Sequence, residues 1–333
     1  MKHFITVSDY SLEQLDRMID VAGKLKSKKT ELSLKGKTLI LLFLNPSLRT
    51  RTSFELAMKQ LGGWVVTLNA GGDTWKLETE EGMVMDGTSV EHIKDAAKVL
   101  GRYADAVGIR AFAKGENWEK DKKDPVIDVF IRYAGVPVIN MESSLYHPNQ
   151  ALADIMTMQE KYGKDLKGLP VTITWANHVN PLPMAVPNSI LLACSIFGMD
   201  IRFVCPPKYD LDTCIVDRAQ DLSKISGGKI TVTDNISEGF KGSKVVYAKS
   251  WGSLRFYGKK KEEQKYRKNL GHWIVDDEKM KLTDNAIFMH CLPVRRGLVV
   301  SDSVIDSSSS FVYDEAENRL HAQKSVLYHI LGM

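Results

Sequence analysis

Residues 45–55 have the side chains and the spacing of an anion-binding site. Residues 38–44 before them form an apolar run, as in a parallel strand that is buried on both faces, and residues 53–61 after them have helical spacing. Residues 47–50 should therefore lie where a strand is followed by a helix. Backbone N–H groups in the first helical turn attract an anion there, and Arg49 can add two charge-assisted hydrogen bonds. The segment predicts a phosphate site, with an ordinary Ser or Thr helix cap as the alternative.

Three motifs of the chain resemble those of the aspartate and ornithine carbamoyltransferase family. The string Ser-x-Arg-Thr-Arg at 47–51 matches the carbamoyl-phosphate signature of that family, and residues 147–154 and 290–293 match its second and third motifs. The motifs occur in the family's order, about 100 and about 140 residues apart. The resemblance extends over essentially the whole chain.

The resemblance implies which residues bind carbamoyl phosphate. Arg110 is expected to contact the phosphate and the carbonyl, and His147 and Gln150 are expected to hold the carbamoyl end. Arg110 and His147 are also expected to be catalytic. The resemblance implies that Cys291 lines the site through its main chain and neighbours. We do not expect it to be a nucleophile, because a donor that is already activated needs no covalent enzyme intermediate. The full set of expected carbamoyl-phosphate contacts is Ser47, Leu48, Arg49, Thr50, Trp75, Arg110, His147, Gln150, Cys291, Leu292 and Arg319.

The second substrate is predicted from a motif that the chain lacks. Members that act on free ornithine usually carry an Asp-x-x-Ser-Met-Gly loop, which is absent here, and the segments in its place resemble the branch that acts on Nα-acylated ornithine. An acyl-ornithine should therefore accept the carbamoyl group on its δ-amine, which gives acyl-citrulline and phosphate for arginine synthesis. The expected acyl-ornithine contacts are Val90, Glu142, His178, Lys249 and Arg295, of which Arg295 is also expected to be catalytic.

The nature of the acyl group is predicted from Val90 and Val299. Acetyl-specific members of this branch typically have Glu and Lys at the matching positions. A glutamate beside the acyl group would repel the second carboxylate of a succinyl group by about 4 kcal/mol at about 4 Å, for an effective dielectric constant of about 20. Lys249 or Arg295 could pair with that carboxylate. The resemblance predicts N-succinyl-L-ornithine as the acceptor and N-acetyl-L-ornithine as the alternative, unless both valines only pack.

A catalytically silent paralogue that binds carbamoyl phosphate as a regulator or scaffold is the alternative from another functional class. The intact motifs argue against it. The family implies no cofactor and no metal, and the four cysteines show neither Cys-x-x-Cys spacing nor a paired His pattern that would indicate zinc.

The order of apolar runs predicts an α/β fold with two doubly wound parallel-sheet domains. The first should span residues 1–147 and bind carbamoyl phosphate, with a C-terminal helix at about 318–333 completing it, and residues 148–317 should bind the acyl-ornithine. All three motifs follow strands, so the active site is expected in the crevice between the carboxyl ends of the two sheets.

Composition excludes several other classes. The chain has 333 residues, of which 44% are apolar and 26% are charged, and its net charge of +4 is scattered, so nucleic acid is a poor candidate partner. No apolar run has the length of a membrane span, and the first residues do not begin a signal peptide. We expect a cytoplasmic enzyme that does not bind membranes.

Two further segments have alternative interpretations. Trp75 lies in a polar loop, and the family implies a homotrimer in which this loop reaches a neighbouring active site; burial of Trp75 in its own subunit is the alternative. Residues 259–268 include six basic residues and two glutamates. They are predicted to be a solvated surface loop, with a mobile loop that closes over the second substrate as the alternative.

Overall fold

The computed structural model describes residues 2–332 and contains two compact units, each built on its own parallel sheet. The first unit comprises the residues up to Lys114, Glu119–Leu152 and the residues from Arg319 onward. The second comprises Gly115–Trp118 and Ala153–Asn318. Apart from residues 115–118, the chain passes from one unit to the other at residues 152–153 and 318–319, each time within a helix.

A four-stranded sheet forms the centre of the first unit. The elements of residues 2–147 are α1 (Leu12–Lys26), β1 (Thr38–Phe43), α2 (Leu48–Gln60), β2 (Trp64–Asn69), β3 (Leu77–Glu78), β4 (Glu91–His92), α3 (Ile93–Tyr103), β5 (Ala106–Arg110), α4 (Trp118–Asp121), α5 (Pro125–Tyr133) and β6 (Val138–Glu142). The strand order is β2-β1-β5-β6, and all pairs are parallel. Because β1 and β5 are central, residues that follow them lie next to each other at one edge.

A five-stranded parallel sheet with the order β11-β10-β7-β8-β9 forms the centre of the second unit. The elements from residue 148 onward are α6 (Pro148–Tyr162), β7 (Pro170–Trp175), α7 (Ala185–Ile196), β8 (Asp200–Val204), α8 (Thr213–Ser226), β9 (Lys229–Thr233), α9 (Ile236–Phe240), β10 (Val245–Lys249), α10 (Lys260–Arg267), α11 (Asp277–Met280), β11 (Ile287–Met289), α12 (Asp302–Ile305) and α13 (Val312–Leu331). Short 3-10 helices occur at Val7–Asp9, Leu254–Phe256 and Lys268–Trp273.

The apolar runs of the sequence become the interiors of these units. Every residue of β1 except Thr38 is buried, and every residue of α7 is buried. Helix α1 begins with a capping box, in which the Ser11 hydroxyl accepts the Gln14 N–H and the Gln14 side chain accepts the Ser11 N–H. Local patterning therefore determines where these elements begin and which face they bury.

The predicted α/β fold with parallel sheets is confirmed. The last helix is longer than predicted, since it begins at Val312. Its Ser325 hydroxyl donates to the Met18 carbonyl of α1, at 2.7 Å. Along residues 2–332, no helix combines the length and the apolar character that a membrane crossing requires.

The solvated loop predicted at residues 259–268 is wrong. Residues Lys260–Arg267 form α10, and its Glu263 and Arg267 are each only 2% exposed. The physical reason is that these two opposite charges lie one helical turn apart and pair with each other, so that both can be buried.

Candidate active site

The predicted phosphate segment lies at a strand-to-helix junction. Strand β1 ends at Phe43 and α2 begins at Leu48, with Ser47 as the N-cap residue. The Ser47 hydroxyl accepts the N–H of Thr50 at 3.2 Å. The Asn45 side chain accepts the Phe112 N–H at 2.7 Å, which joins this loop to the loop that follows β5. Leu48 is exposed, so the first helical turn opens to solvent.

Arg319 lies at the same helix N-terminus. Its Nη2 donates to the Thr50 hydroxyl at 2.8 Å, and both side chains are buried. Arg319 comes from α13, 269 residues further along the chain. Thus two of the predicted carbamoyl-phosphate residues that are distant in sequence are in direct contact, and Arg319 adds positive charge where the helix dipole is also positive.

Arg110, Glu142 and His147 form a second cluster in the first unit. Arg110 ends β5, Glu142 ends β6, and the two residues are paired in the sheet register. Their side chains form an ion pair that is about 10% exposed at the Arg110 side chain and 11% at the Glu142 side chain. The Nε2 atom of His147 lies 3.6 Å from the same Glu142 oxygen. Glu142, which is predicted to bind the acyl-ornithine, therefore lies against both Arg110 and His147, which are predicted to bind carbamoyl phosphate.

The turn that carries His147 is held by a buried polar network. His147 directly precedes α6, and its carbonyl accepts the N–H of the buried Gln150 at 3.1 Å. The Asp124 carboxylate accepts the Ser143 hydroxyl at 2.5 Å and the Ser144 N–H at 2.8 Å. Burial raises the pKa of Asp124 to about 6, although the hydrogen bonds from both serines act to lower it. This network fixes the chain between β6 and His147.

In the second unit, His178 and Arg295 are in contact. His178 follows β7, and its Nε2 accepts a hydrogen bond from Nε of Arg295 at 3.0 Å. Because the Arg295 guanidinium can only donate, Nε2 carries no proton, and the proton of the neutral ring is on Nδ1, which lies 2.9 Å from the Asn180 carbonyl and 3.0 Å from the Asn180 nitrogen. Burial lowers the pKa of His178, and Arg295, Lys249 and Arg267 lower it further, against the hydrogen bond to Asn180. The ring is therefore a neutral acceptor that orients a cation.

Lys249 is at the carboxyl end of β10, next to β7. It is paired in register with Trp175, and its carbonyl accepts the Ala176 N–H at 3.0 Å. The side chain is half-buried. Lys249, His178 and Arg295 thus lie at the carboxyl ends of three strands that are adjacent in the sheet, where Lys249 and Arg295 supply positive charge suited to carboxylates.

The turn that contains Cys291 and Leu292 is anchored by Glu315. The Glu315 carboxyl accepts the His290 N–H at 3.0 Å, and Nδ1 of His290 accepts the Leu292 N–H at 2.9 Å. Burial, followed by the nearby Asp154 carboxyl, raises the pKa of Glu315 well above its usual range. Cys291 is buried, and Leu292 has a positive φ of 51°. The main chain of this motif is therefore held in a fixed turn.

Trp75, Val90 and Val299 have different surroundings. Trp75 is 66% exposed, so the alternative of burial in its own subunit is wrong. A parallel pairing of β3 with β4, which the sequence did not predict, joins the Trp75 segment to the segment after Val90. Val90 is 67% exposed, whereas Val299 is buried in a hydrophobic cluster with Val275 and Val300. Val299 therefore packs in a core, as in the alternative interpretation.

Sequence reasoning missed two features that support these clusters. The network of Asp124 had no recognisable motif, because its members lie 19 and 20 residues apart. The buried pair of Glu263 and Arg267 had a local indication, namely opposite charges at i,i+4 spacing. No group of three or more His, Cys, Asp or Glu residues is arranged to hold a metal ion within the part of the chain that the structure describes.

Known protein families match both halves of the chain. Residues 2–160 match the family model described as aspartate/ornithine carbamoyltransferase, carbamoyl-P binding domain, and residues 183–330 match the one described as the Asp/Orn binding domain of the same family. Together the two matches cover most of the chain. They include all three motifs on which the resemblance was based.

Individual relatives are similar over most or all of the chain. The N-acetylornithine carbamoyltransferase of Xanthomonas campestris pv. campestris is 46% identical over 334 residues, which cover 100% of this chain and 98% of the relative. The N-succinylornithine carbamoyltransferase of Bacteroides fragilis is 39% identical over 299 residues, which cover 89% of this chain and 88% of the relative.

A solved structure has the same fold. It is a glutamate-to-valine variant of N-acetyl-L-ornithine transcarbamylase, complexed with carbamyl phosphate and N-succinyl-L-norvaline. Its sequence identity to this chain is 46%, its TM-score is 0.96, and the match covers 99% of this chain and all of that one. The family predicted from the motifs is confirmed, and the chain is a carbamoyltransferase that belongs to the aspartate/ornithine carbamoyltransferase family.

Proposed function

We propose that the protein transfers the carbamoyl group of carbamoyl phosphate to the δ-amine of an N-acyl-L-ornithine, for arginine biosynthesis. The observation that carries the proposal is the cluster of Arg110, Glu142 and His147 in a unit whose α2 N-terminus also contacts Arg319. Similarity to acyl-ornithine carbamoyltransferases over 89% or more of the chain supports it.

In this proposal the phosphate of the donor binds at the N-terminus of α2. Ser47, Leu48 and Thr50 supply hydroxyl and N–H groups, while Arg49 and Arg319 supply charge. Because this charge is fixed before the reaction, it stabilises the departing phosphate without reorganisation of solvent. Arg110 and His147 polarise the carbamoyl carbonyl, and Gln150 and the main chain at Cys291 and Leu292 hold the carbamoyl amide.

The acyl-ornithine binds through Glu142 and the basic residues of the second unit. His178 is neutral and holds Arg295 through an accepted hydrogen bond, so that the guanidinium faces a substrate carboxylate in a defined orientation. Lys249 supplies a second positive charge. The δ-amine must be uncharged when it attacks, and its positioning next to the donor supplies most of the rate.

The acyl group has two candidates. Overall similarity favours N-acetyl-L-ornithine, since the relative that is 46% identical is an N-acetylornithine carbamoyltransferase and the N-succinylornithine enzyme is 39% identical. This ranking reverses the one predicted from the sequence.

Val90 favours N-succinyl-L-ornithine as the second candidate. The solved variant complexed with N-succinyl-L-norvaline has valine in place of a glutamate. We take that glutamate to match the position of Val90, where the resemblance implies a glutamate in acetyl-specific members. Removal of one negative charge would then admit the second carboxylate of a succinyl group.

A comparison of kcat/KM for N-acetyl-, N-succinyl- and free L-ornithine, at saturating carbamoyl phosphate, tests the proposal. Both acyl-ornithines should exceed free ornithine, and their ratio decides between the candidates. Val90→Glu should raise the activation free energy for the N-succinyl substrate by up to about 4 kcal/mol, which lowers its kcat/KM by up to about a thousandfold. The kcat/KM for the N-acetyl substrate should change only a few-fold.

Val90→Gln is the matched control, because it adds the same volume without the charge and should have a much smaller effect. A preference for free ornithine would contradict the acyl-ornithine assignment. If Val90→Glu leaves succinyl turnover intact, position 90 does not select the acyl group.

A further inference from the structure

Helix α10 carries an ion pair whose two side chains are almost completely buried. Glu263 and Arg267 are each 2% exposed, and their side chains meet at 2.6 Å between Nη2 and Oε1 and at 3.0 Å between Nε and Oε1. The helix is otherwise rich in lysine and glutamate. Burial of two charges is unfavourable unless further hydrogen bonds satisfy them, so the remaining partners of this pair indicate its purpose.

The guanidinium of Arg267 joins two loops. Nη1 donates to the Ser250 hydroxyl at 3.1 Å and to the His178 carbonyl at 3.4 Å, and Nη2 donates to the Trp251 carbonyl at 2.6 Å. With the two bonds to Glu263, all five N–H groups have acceptors inside the protein. Arg267 therefore has no donor left for a ligand, and any effect on a substrate is indirect.

Neighbouring groups fix the position of this guanidinium. Its central carbon lies 5.1 Å from the ring centres of both Trp175 and Tyr209, within the range of cation–π attraction. The Glu263 oxygen also accepts the Ser253 N–H at 3.1 Å. The pair is thus held by the end of β7, by the loop after β10 and by its own helix.

The two loops are those that present the proposed acyl-ornithine residues. His178 lies in the first and contacts Arg295, and Lys249 directly precedes the second. Because the His178 carbonyl is a direct partner of Arg267, loss of the guanidinium would free the main chain at the residue that orients Arg295.

We infer that Arg267 is a positioning residue for the acyl-ornithine, with Glu263 holding its guanidinium in place. The inference rests on the proposed function of His178, Lys249 and Arg295. Arg267 sets the main chain of both loops, and these three side chains then meet the substrate in one arrangement.

Arg267→Lys tests this inference in the full-length enzyme. Lysine keeps the charge but has three donors on one nitrogen, so it cannot make the five hydrogen bonds of the planar guanidinium. We expect the KM for the acyl-ornithine to rise at least about tenfold, with kcat within about threefold of the unaltered enzyme. The Kd of carbamoyl phosphate, measured by calorimetry, should not change.

Arg132→Lys is the matched control. Arg132 also pairs with an acidic residue one helical turn away, Asp128, but the side chains are 41% and 52% exposed. All three kinetic and binding constants should remain unchanged. Should Arg267→Lys fail to fold, Glu263→Gln is measured by the same criterion, since it keeps the size of the side chain and removes the charge that holds the guanidinium.

A measurement without substrate separates positioning from a general loss of stability. The His178 ring, followed by NMR in selectively labelled protein and assigned with His178→Asn, should change its chemical shift in Arg267→Lys. In Arg267→Met the pKa of His178 should rise, because one of the positive charges that lower it is removed. Arg132→Lys should leave the ring signal unchanged.

The outcomes are distinguishable. An unaltered enzyme that turns over no acyl-ornithine would contradict the proposed function. An active unaltered enzyme with an Arg267→Lys variant that is folded, keeps its KM and shows an unshifted His178 ring would contradict the inference alone. A rise in the KM for acyl-ornithine together with the His178 shift supports it.

Discussion

Arg110 and Glu142 form a buried ion pair at the ends of two adjacent parallel strands, and the same carboxylate lies 3.6 Å from Nε2 of His147. In water such a pair would contribute little, but here both charges are largely removed from solvent, and each depends on the other for compensation. Glu142 thereby fixes two groups that we propose hold the carbamoyl end of the donor.

Glu142→Gln should therefore destabilise the protein by about 3 kcal/mol, because it leaves Arg110 buried without its counter-charge. The free energy of unfolding in urea is the measurement. Glu119→Gln is the control, since Glu119 pairs with Lys122 at an exposed site and should show no measurable change. Equal effects of the two changes would show that the pair of Arg110 and Glu142 is not buried in solution.

Arg49→Ala should weaken carbamoyl-phosphate binding and turnover by at least about 2 kcal/mol, or about 30-fold. The reason is the loss of a bidentate contact that persists in the ground state and the transition state. Calorimetric titration and steady-state kinetics measure the two effects. Arg102→Ala, at an exposed position in the last turn of α3, should change neither. Unchanged kinetics in Arg49→Ala would remove residues 47–50 from the proposed phosphate site.

The stability of the protein should depend on pH through Asp124. Its pKa is raised from 3.8 to about 6, so between these values the folded protein keeps a proton that the unfolded chain has lost. The contribution of this group to stability is therefore full below about pH 4 and falls as the pH rises through about 6, by up to about 3 kcal/mol in total.

Urea unfolding of the unaltered protein and of Asp124→Asn, at several pH values between about 4 and about 7.5, measures this effect. The variant should become relatively more stable as the pH rises, because asparagine carries no charge to bury. Asp128→Asn is an exposed change in the helix that Asp124 precedes, and its free energy of unfolding should depend on pH as that of the unaltered protein does. If the difference in the free energy of unfolding between Asp124→Asn and the unaltered protein does not change with pH, Asp124 ionises normally.

The trimer with shared sites stays a prediction, and the exposure of Trp75 leaves its side chain accessible to a neighbouring subunit. If Trp75 completes the site of a neighbour, mixing inactive Arg49→Ala with inactive Trp75→Ala subunits should restore activity. Random exchange in a cyclic trimer would make about a quarter of the sites intact. Verified hybrids that recover no activity would place each site within one subunit.

Features that depend on neighbouring residues in the sequence could be predicted. Strand β9 (Lys229–Thr233) and helix α5 (Pro125–Tyr133) follow local signals, namely alternation of polar and apolar residues in the strand and, in the helix, apolar spacing with a proline in the first turn. The capping box of Ser11 and Gln14 is a local signal of the same kind. The motif at residues 47–51 was recognisable because the side chains that we propose bind phosphate are neighbours in the first turn of α2.

Features that depend on distant partners could not be predicted. Glu142 pairs with Arg110 because β6 lies beside β5 with an irregular register, which no local pattern specifies. Arg267 is buried because the acceptors at His178 and Trp251 and the ring of Trp175 surround it, while its own segment has the composition of a solvated surface. Composition indicates the average surroundings of a segment, and single buried charges are exceptions to it.

The most direct test of the central claim follows the carbamoyl carbon itself. The protein is incubated with carbamoyl phosphate labelled with carbon-13 and with N-acetyl- or N-succinyl-L-ornithine, and the products are analysed by NMR and mass spectrometry. We predict that the label appears in the ureido group of the corresponding acyl-citrulline, with one phosphate released for each molecule formed. Release of phosphate without labelled acyl-citrulline, or no release with any amine acceptor, would contradict the assignment of this chain as an acyl-ornithine carbamoyltransferase.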